Sequence, residues 1–432
     1  MMEVTVETLR TLLVQTGCDP AVAAAVRPDV PLAELGVGAG LAAAFARELE
    51  ERFGAPIGDA AAPTPGSLQD WAAFLAAAVD DETAKRAAIS RIKAGWREIP
   101  PGQSYELDML RPEDAPGVAQ LFYTIYGDTY PVIGYYIPEQ LIELNRQGRV
   151  LTVVARLDSG IIAGQGAYFQ SSPPNKAVFE QGQLLVAPEY RNSFMAYKIL
   201  NRLDALSRTM DQAEAFFGEA VCTHLVTQKS VSKQGFSECG LELALMPAGT
   251  YEKEGASGRV SCLLAARVDR DRALPLFLPQ CYRDVLERIL SGFSLDRAVC
   301  FAAADEPVAA ACVLESAVFD FAQVMRVQVA TVGRNFPACL EELDAKARVD
   351  GLAVLQVYVN AGAPGVVFAV EALREKGFVF GGLLPRWFGT DGIMLQKLYV
   401  APDFASVNLF SDLGKTIFSC VRADWDRSQG RR

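Results

Sequence analysis

Histidine is almost missing from this chain: among 432 residues, His224 stands alone. Cysteine offers no substitute as a metal-ligating set. The nine cysteines are odd in number and dispersed without paired spacing, which reads as reduced, mostly buried thiols of a cytosolic protein. No metal-ligand cluster is visible, and no metal is expected. Positive charge is also in deficit, with 41 Lys and Arg against 52 Asp and Glu, a formal net charge of −11. Nucleic acid and anionic membrane are therefore not expected as partners, because each requires a basic surface. No uninterrupted apolar stretch reaches the length of a transmembrane helix. The opening Met1-Met2-Glu3-Val4-Thr5-Val6-Glu7 lacks the basic start and apolar run of a signal peptide, so a cytoplasmic location is expected.

What is there is a large apolar fraction, 50% of the residues, enough for two to four packed domains. Residues 1 to about 80 show no convincing strand. Glu7 to Val14 is a short helix pattern. Leu41, Phe45, Leu49 and Phe53 mark a second helix at four-residue steps, and Leu68, Trp71, Leu75 and Val79 a third, with Ser67 as its N-cap. Residues 81–104 read as a charged linker helix stopped at Ile99-Pro100-Pro101-Gly102. From Tyr105 the texture changes. A strand to Leu110, a helix to Tyr126, a hairpin around Asp158-Ser159-Gly160 and a strand from Ala177 to Val186 come first. A helix from Met195, a strand from Phe216 to Cys222, a short helix from Thr227 and a strand from Leu241 follow.

Two resemblances come out of these patterns. Pro31-Leu32-Ala33-Glu34-Leu35-Gly36-Val37 before the second helix, with Leu49-Glu50-Glu51-Arg52-Phe53-Gly54 at its end, resembles an acyl carrier protein. That family carries Asp-Ser-Leu after Leu-Gly-x, the serine accepting phosphopantetheine; this chain has Gly38-Ala39-Gly40. Ala39 has no hydroxyl, so no covalent phosphopantetheine is expected. An ordinary helical bundle is the alternative. The series from Arg111-Pro112-Glu113-Asp114 through Val186-Ala187-Pro188-Glu189-Tyr190-Arg191 to Lys233-Gln234-Gly235-Phe236 resembles the GNAT acyltransferase superfamily over residues 105–250. A weaker echo, Gly235-Phe236-x-x-x-Gly240-Leu241 recurring as Gly377-Phe378-x-x-x-Gly382-Leu383, implies a second, degenerate GNAT-like unit over 258–432. Its hairpin is expected between 299–304 and 307–313, around Asp305-Glu306. The expected fold class is α+β multidomain: an all-α carrier-like bundle followed by two GNAT-like mixed α/β units.

The GNAT resemblance implies acetyl-CoA or another acyl-CoA as donor. Its pantetheine arm lies between the splayed fourth and fifth strands, along Leu185 and Val186. Its pyrophosphate meets backbone N–H groups at the following helix, where the partial positive charge favours anions. That family writes the turn as Arg-x-x-Gly-x-Gly/Ala. Here it is Arg191-Asn192-Ser193-Phe194-Met195-Ala196, with Phe194 at the glycine place; either the loop is strained there or it takes another path.

Transfer to an amine needs a base. His224 qualifies by residue type and follows the fifth strand, though a cap for the next helix is an equal reading. Glu180 and Glu219 lie on the two central strands, as bases or as surface carboxylates. Tyr197 and Tyr251 are weaker candidates for the thiolate acid. Cys222 reads as a buried small hydrophobe. The resulting function is acyl-CoA-dependent N-acyl transfer to a small-molecule or protein amine. The alternative is a non-catalytic acyl-CoA or acyl-carrier docking protein. The carrier-like head adds an acyl-carrier or biosynthetic protein as a partner, whose pantetheine would hold the acyl group.

Overall fold

A computed structural model describes residues 6–35, 37–53, 67–130, 132–247 and 258–430. The chain folds as two compact units, one holding the residues up to Gly95 with Arg348–Gly351 and the other Trp96–Ala347 with Leu352–Arg432. Among its described residues the first is helical: α1 (Val6–Gln15), α2 (Pro20–Ala25), α3 (Ala39–Phe53) and α4 (Leu68–Ala94). Its core gathers Leu9, Leu12, Leu13, Phe45, Leu49, Leu68 and Trp71, with Phe45 of α3 meeting Trp71 edge-on at 6.1 Å. Ser67 caps α4 through a reciprocal box. The Asp70 amide donates to Ser67 Oγ at 3.2 Å and the Ser67 amide to Asp70 Oδ2 at 2.8 Å. The expected separate linker helix is not observed. Leu68 to Ala94 contains neither Gly nor Pro, so nothing interrupts the backbone ladder, and one helix of 27 residues runs to Gly95.

The second unit is built on a twelve-stranded sheet. Its first half runs β1 (Tyr105–Met109), α5 (Ala115–Tyr126), α6 (Pro138–Arg146), β2 (Val150–Leu157), β3 (Ile162–Phe169) and β4 (Val178–Val186). Then come α7 (Met195–Ser207), β5 (Ala215–Val221), α8 (Val226–Lys233), β6 (Ser237–Pro247) and β7 (Arg259–Val268). The strands β2 and β3 are buried almost throughout, as expected where both faces are covered. Two glycines on β3 let α7 lie close. A Cβ on Gly164 would come within 2.8 Å of Met195 Sδ, and one on Gly166 within 2.8 Å of Ile199 Cγ2.

The remainder holds β8 (Leu274–Pro279), α9 (Arg283–Leu290), β9 (Arg297–Ala302), β10 (Val313–Phe319), β11 (Val324–Thr331) and α10 (Phe336–Val349). It continues with β12 (Val354–Asn360), α11 (Val366–Glu375), β13 (Val379–Leu384), β14 (Gly392–Leu398) and α12 (Asp412–Gly430). The sheet order is β1-β2-β3-β4-β5-β7-β6-β13-β14-β12-β11-β10. From β3 to β6 successive neighbours pair antiparallel, parallel, antiparallel and antiparallel. From β10 to β13 the sequence of pairings is the same. The two halves meet where β6 pairs with β13, Gly240 opposite Gly382. These are equivalent glycines of the sequence echo.

Two expectations are corrected. Arg259–Val268, expected to open the second half, lies between β5 and β6 and pairs with both. It completes the first half because spatial order in a sheet need not follow chain order. The expected hairpin around Asp305-Glu306 does not form. Instead β9 pairs in parallel with β8 in a separate two-stranded sheet, and the Asp305 carboxylate accepts from the Gly365 and Phe368 amides at 2.7 Å each. Those amides begin α11, so Asp305 serves as a helix cap rather than a turn residue.

Candidate functional site

The parallel strands β4 and β5 pair over three positions only: Val178 with Ala215, Phe179 with Phe216, and Glu180 with Phe217. Past Glu180 they part, although β4 continues to Val186 and β5 to Val221. The cause lies in β4. Its register against β3 slips between Gln165 and Ala167, and Gln183 takes a φ of 54°, a conformation that costs energy for any residue but glycine. Neighbours hold it there. The Gln165 amide Nε2 donates to the Gln183 carbonyl at 3.2 Å, and Gln183 Nε2 donates to the Tyr135 hydroxyl. In the other half, β11 and β12 stay paired over Val324–Val329 and Val354–Val359, so the corresponding strands do not part.

Glu180 marks the fork, and Glu219 stands two residues further along β5 from its partner Phe217. Alternation puts both carboxylates on one face of the sheet. Burial pushes the Glu180 carboxyl up to about 8, and the Glu219 charge pushes it the same way. Burial likewise raises Tyr135, to about 12, so its hydroxyl stays neutral at the fork.

Across from these carboxylates stands Arg326 of β11, its side chain 9% exposed. Its Nη2 donates to Glu219 Oε1 at 2.9 Å and to Glu242 Oε1 at 3.0 Å, its Nε to Gln356 Oε1 at 2.8 Å, and its Nη1 to Ser172 Oγ at 2.7 Å. Glu242, fully buried on β6, also accepts from Gln356 Nε2 at 2.8 Å and the Tyr358 hydroxyl at 3.2 Å. Its carboxyl is raised by burial first and by Glu219 next. Six strand steps separate β5 from β11, about 29 Å along a flat sheet. A 2.9 Å bond across that separation means the sheet curls back on itself, with this polar cluster inside the curl. Trp387 seals it, stacked on Tyr358 at 4.8 Å.

At the far end of β4, Leu185 is buried and Val186 half-buried. Arg191, Asn192, Ser193 and Phe194 are exposed, Phe194 by 77%, while Met195 is buried and Ala196 half-buried at the start of α7. Phe194 has an ordinary φ of −80°, so the loop takes another path and is not strained there. Ser193 shapes that path: its Oγ donates to the Tyr190 carbonyl at 2.6 Å and accepts from the Met195 amide at 3.2 Å. Tyr190 is pinned below, its hydroxyl donating to the Pro100 carbonyl at 2.7 Å. The remaining first-turn amides of α7 have no acceptor within the helix.

His224 lies beyond the end of β5, and its carbonyl accepts from Gln228 Nε2 at 3.3 Å. Leu225 occupies the N-cap of α8 with no side-chain cap bond, and His224 immediately precedes it. The structure thus brings Glu180 and Glu219 together and leaves His224 past the strand end. Cys222 is buried and its thiol is pushed up to about 12 by that burial, which suits a small hydrophobe. Tyr197 is half exposed, and Tyr251 lies outside the described residues. Arg326, Glu242 and Gln356 escaped the sequence reading. Their signal is a charge or amide set inside an apolar run, as in Val324-Met325-Arg326-Val327 and Leu241-Glu242-Leu243, where a polar side chain must find buried partners.

No protein-family model matches the sequence, and no curated protein matches it. Among solved structures, a ribosomal-protein-S5-alanine acetyltransferase from Vibrio fischeri is 13% identical, over 40% of this chain and 98% of its own, with a TM-score of 0.32. A putative acetyltransferase from Salmonella typhimurium, solved with acetyl-CoA, is 10% identical over 40% of this chain and 98% of its own, at 0.32. Spermidine N-acetyltransferase from Vibrio cholerae is 13% identical over 38% and 94%, at 0.31. Further such neighbours are named as GNAT acetyltransferases. Among the described residues, no helix is long and apolar enough to cross a membrane, and no three His, Cys, Asp or Glu side chains are grouped to hold a metal.

Proposed function

We propose that the chain is an acyl-CoA-dependent N-acyltransferase of the GNAT type, working through the first half of its sheet on a small-molecule or protein amine. The observation that carries this reading is the parting of β4 from β5 beyond Glu180. Two parallel strands that separate leave backbone groups without a ladder partner, and a pantetheine arm, with its own amides, fits such a gap. The donor's pyrophosphate then falls at Arg191 to Ala196, where charge and first-turn amides of α7 favour an anion. Glu180, backed by Glu219, takes the proton of the attacking amine. A carboxyl raised toward neutrality is a stronger base than an ordinary one. His224 is the second candidate for that step or for orienting the acceptor; full turnover in a folded His224→Ala variant removes it. The second half is a duplicate whose strands stay closed and hold no donor. The first unit is a carrier-like fold without an arm, suited to meeting an acyl-carrier or biosynthetic partner.

Calorimetry with acetyl-CoA tests the reading. Binding is expected, and Arg191→Ala is expected to weaken it by about 1.5–3 kcal/mol, the worth of a charge-assisted phosphate contact. No binding of any acyl-CoA overturns the proposal. One observation favours the docking alternative: the Met195 amide is already engaged by Ser193 Oγ, which leaves one donor fewer for phosphate. Binding without turnover on any amine is the outcome that reading expects.

A further inference from the structure

We propose that the second half of the sheet completes the site of the first, with Arg326 as a positioning residue that holds Glu219 and Glu242 and thereby orients the carboxylate group around Glu180. The inference rests on the reading of Glu180 and Glu219 as the proton-accepting pair. Register gives the first argument. Glu180 is the third paired residue of β4, opposite Phe217; Arg326 is the third of β11, opposite Gln356. In the repeated pattern of pairings a guanidinium therefore stands where the first half has its carboxylate, and Tyr358 stands where the first half has Glu219. The closed half has lost the donor groove and kept a side chain at this place that reaches across into the other half.

Bond count gives the second. Arg326 spends four donor bonds on Glu219, Glu242, Gln356 and Ser172, and those acceptors come from β5, β6, β12 and the segment before β4. A guanidinium fork fixes the direction of each bond. A buried ion pair serving only as glue needs one carboxylate. Here Glu219 and Glu242 both bind one cation, and Glu180 lies within reach of its field. The charged and titratable groups around Glu180 are Glu219 on β5, Glu242 on β6, Arg326 on β11 and Tyr135 on the turn before α6, with Tyr358 on β12 behind Glu242. Among them Arg326 is the cation. It opposes the burial and the carboxylate repulsion that together drive Glu180 toward its protonated form.

The test reads Glu180 directly in the full-length chain carrying 13C at its glutamate carboxyls, with the Glu180 signal identified by its loss in Glu180→Gln. Arg326→Met is expected to move the Glu180 titration midpoint up by a pH unit or more. The acidic limb of kcat should move with it, while acetyl-CoA affinity stays within about twofold. Arg326→Lys keeps the charge but not the fork, so a smaller midpoint shift with a clear fall in kcat is expected. If Arg326→Met does not fold, Ser172→Ala and Gln356→Ala each loosen the guanidinium in place, and the same upward direction is expected. An unmoved Glu180 midpoint in folded variants overturns the proposal and leaves Arg326 as structural glue. The midpoint is read without turnover, so a chain that binds no acyl-CoA defeats the proposed function and not this measurement.

Discussion

Glu180 has two properties that a base for an amine requires: a place where two strands part, and a proton affinity raised by burial and by Glu219. The substitution Glu180→Gln keeps shape and removes proton acceptance. Turnover should fall about a hundredfold to ten-thousandfold, the usual worth of general-base help, while calorimetry finds acetyl-CoA affinity unchanged. The same residue predicts a stability trend. Its folded pKa lies above the ordinary glutamate value of about 4.3, so the native state binds more protons than the unfolded one. Its contribution is then fully present below about pH 4.3 and is lost as pH rises through about 8. Thermal unfolding between those limits should show a shallower decline with pH in Glu180→Gln than in the parent chain; parallel curves would refute the raised pKa. The sequence made Glu180 and Glu219 visible as carboxylates on central strands. Arg326 was not, because its partners sit on strands far away in the chain, and no local pattern records a contact made by curling the sheet.

Elements were legible where the pattern is local. The stripe of α3 and the cap at Ser67 showed in sequence, as did the hairpin of β2 and β3, because each depends on near neighbours. Elements failed where long-range pairing decides. The strand β7 sits between β5 and β6, and Asp305 caps α11 sixty residues downstream. Phe194 was legible as an anomaly but not in its outcome. A glycine there would permit a left-handed turn, whereas Ser193 bonds the loop into a conformation with ordinary φ. Position along an element also separates the candidates. Glu180 stands where β4 leaves β5, and the Arg191 loop starts α7 at the far end of β4, so the fork and the proposed phosphate turn lie at opposite ends of its unpaired stretch.

For the molecule as a whole, the junction of β6 with β13 joins the two halves through a close backbone contact. A Cβ on Gly240 would come within 2.6 Å of the Gly381 carbonyl oxygen, and one on Gly382 within 2.5 Å of both the Cys239 carbonyl oxygen and Gly240 Cα. Backbone atoms cannot swing aside as a side chain can. Gly240→Ala is therefore expected to lower stability by about 1–3 kcal/mol, as overpacking does, read by denaturant midpoint. It should also slow turnover, since the two halves that share the Arg326 cluster join there; a midpoint unchanged from the parent would show that the junction can breathe. The first unit makes a separate prediction. Ala39 begins α3, the place where the carrier resemblance calls for the serine that takes the arm. Incubation of the full chain with a broad-specificity phosphopantetheinyl transferase should leave its mass unchanged, and Ala39→Ser should let it gain one arm. An arm on the parent chain would mean that another hydroxyl accepts it. No arm on a folded Ala39→Ser variant would mean that the helices of this unit share the carrier's length and order without its recognition surface, and the proposed encounter with an acyl-carrier partner would lose its support.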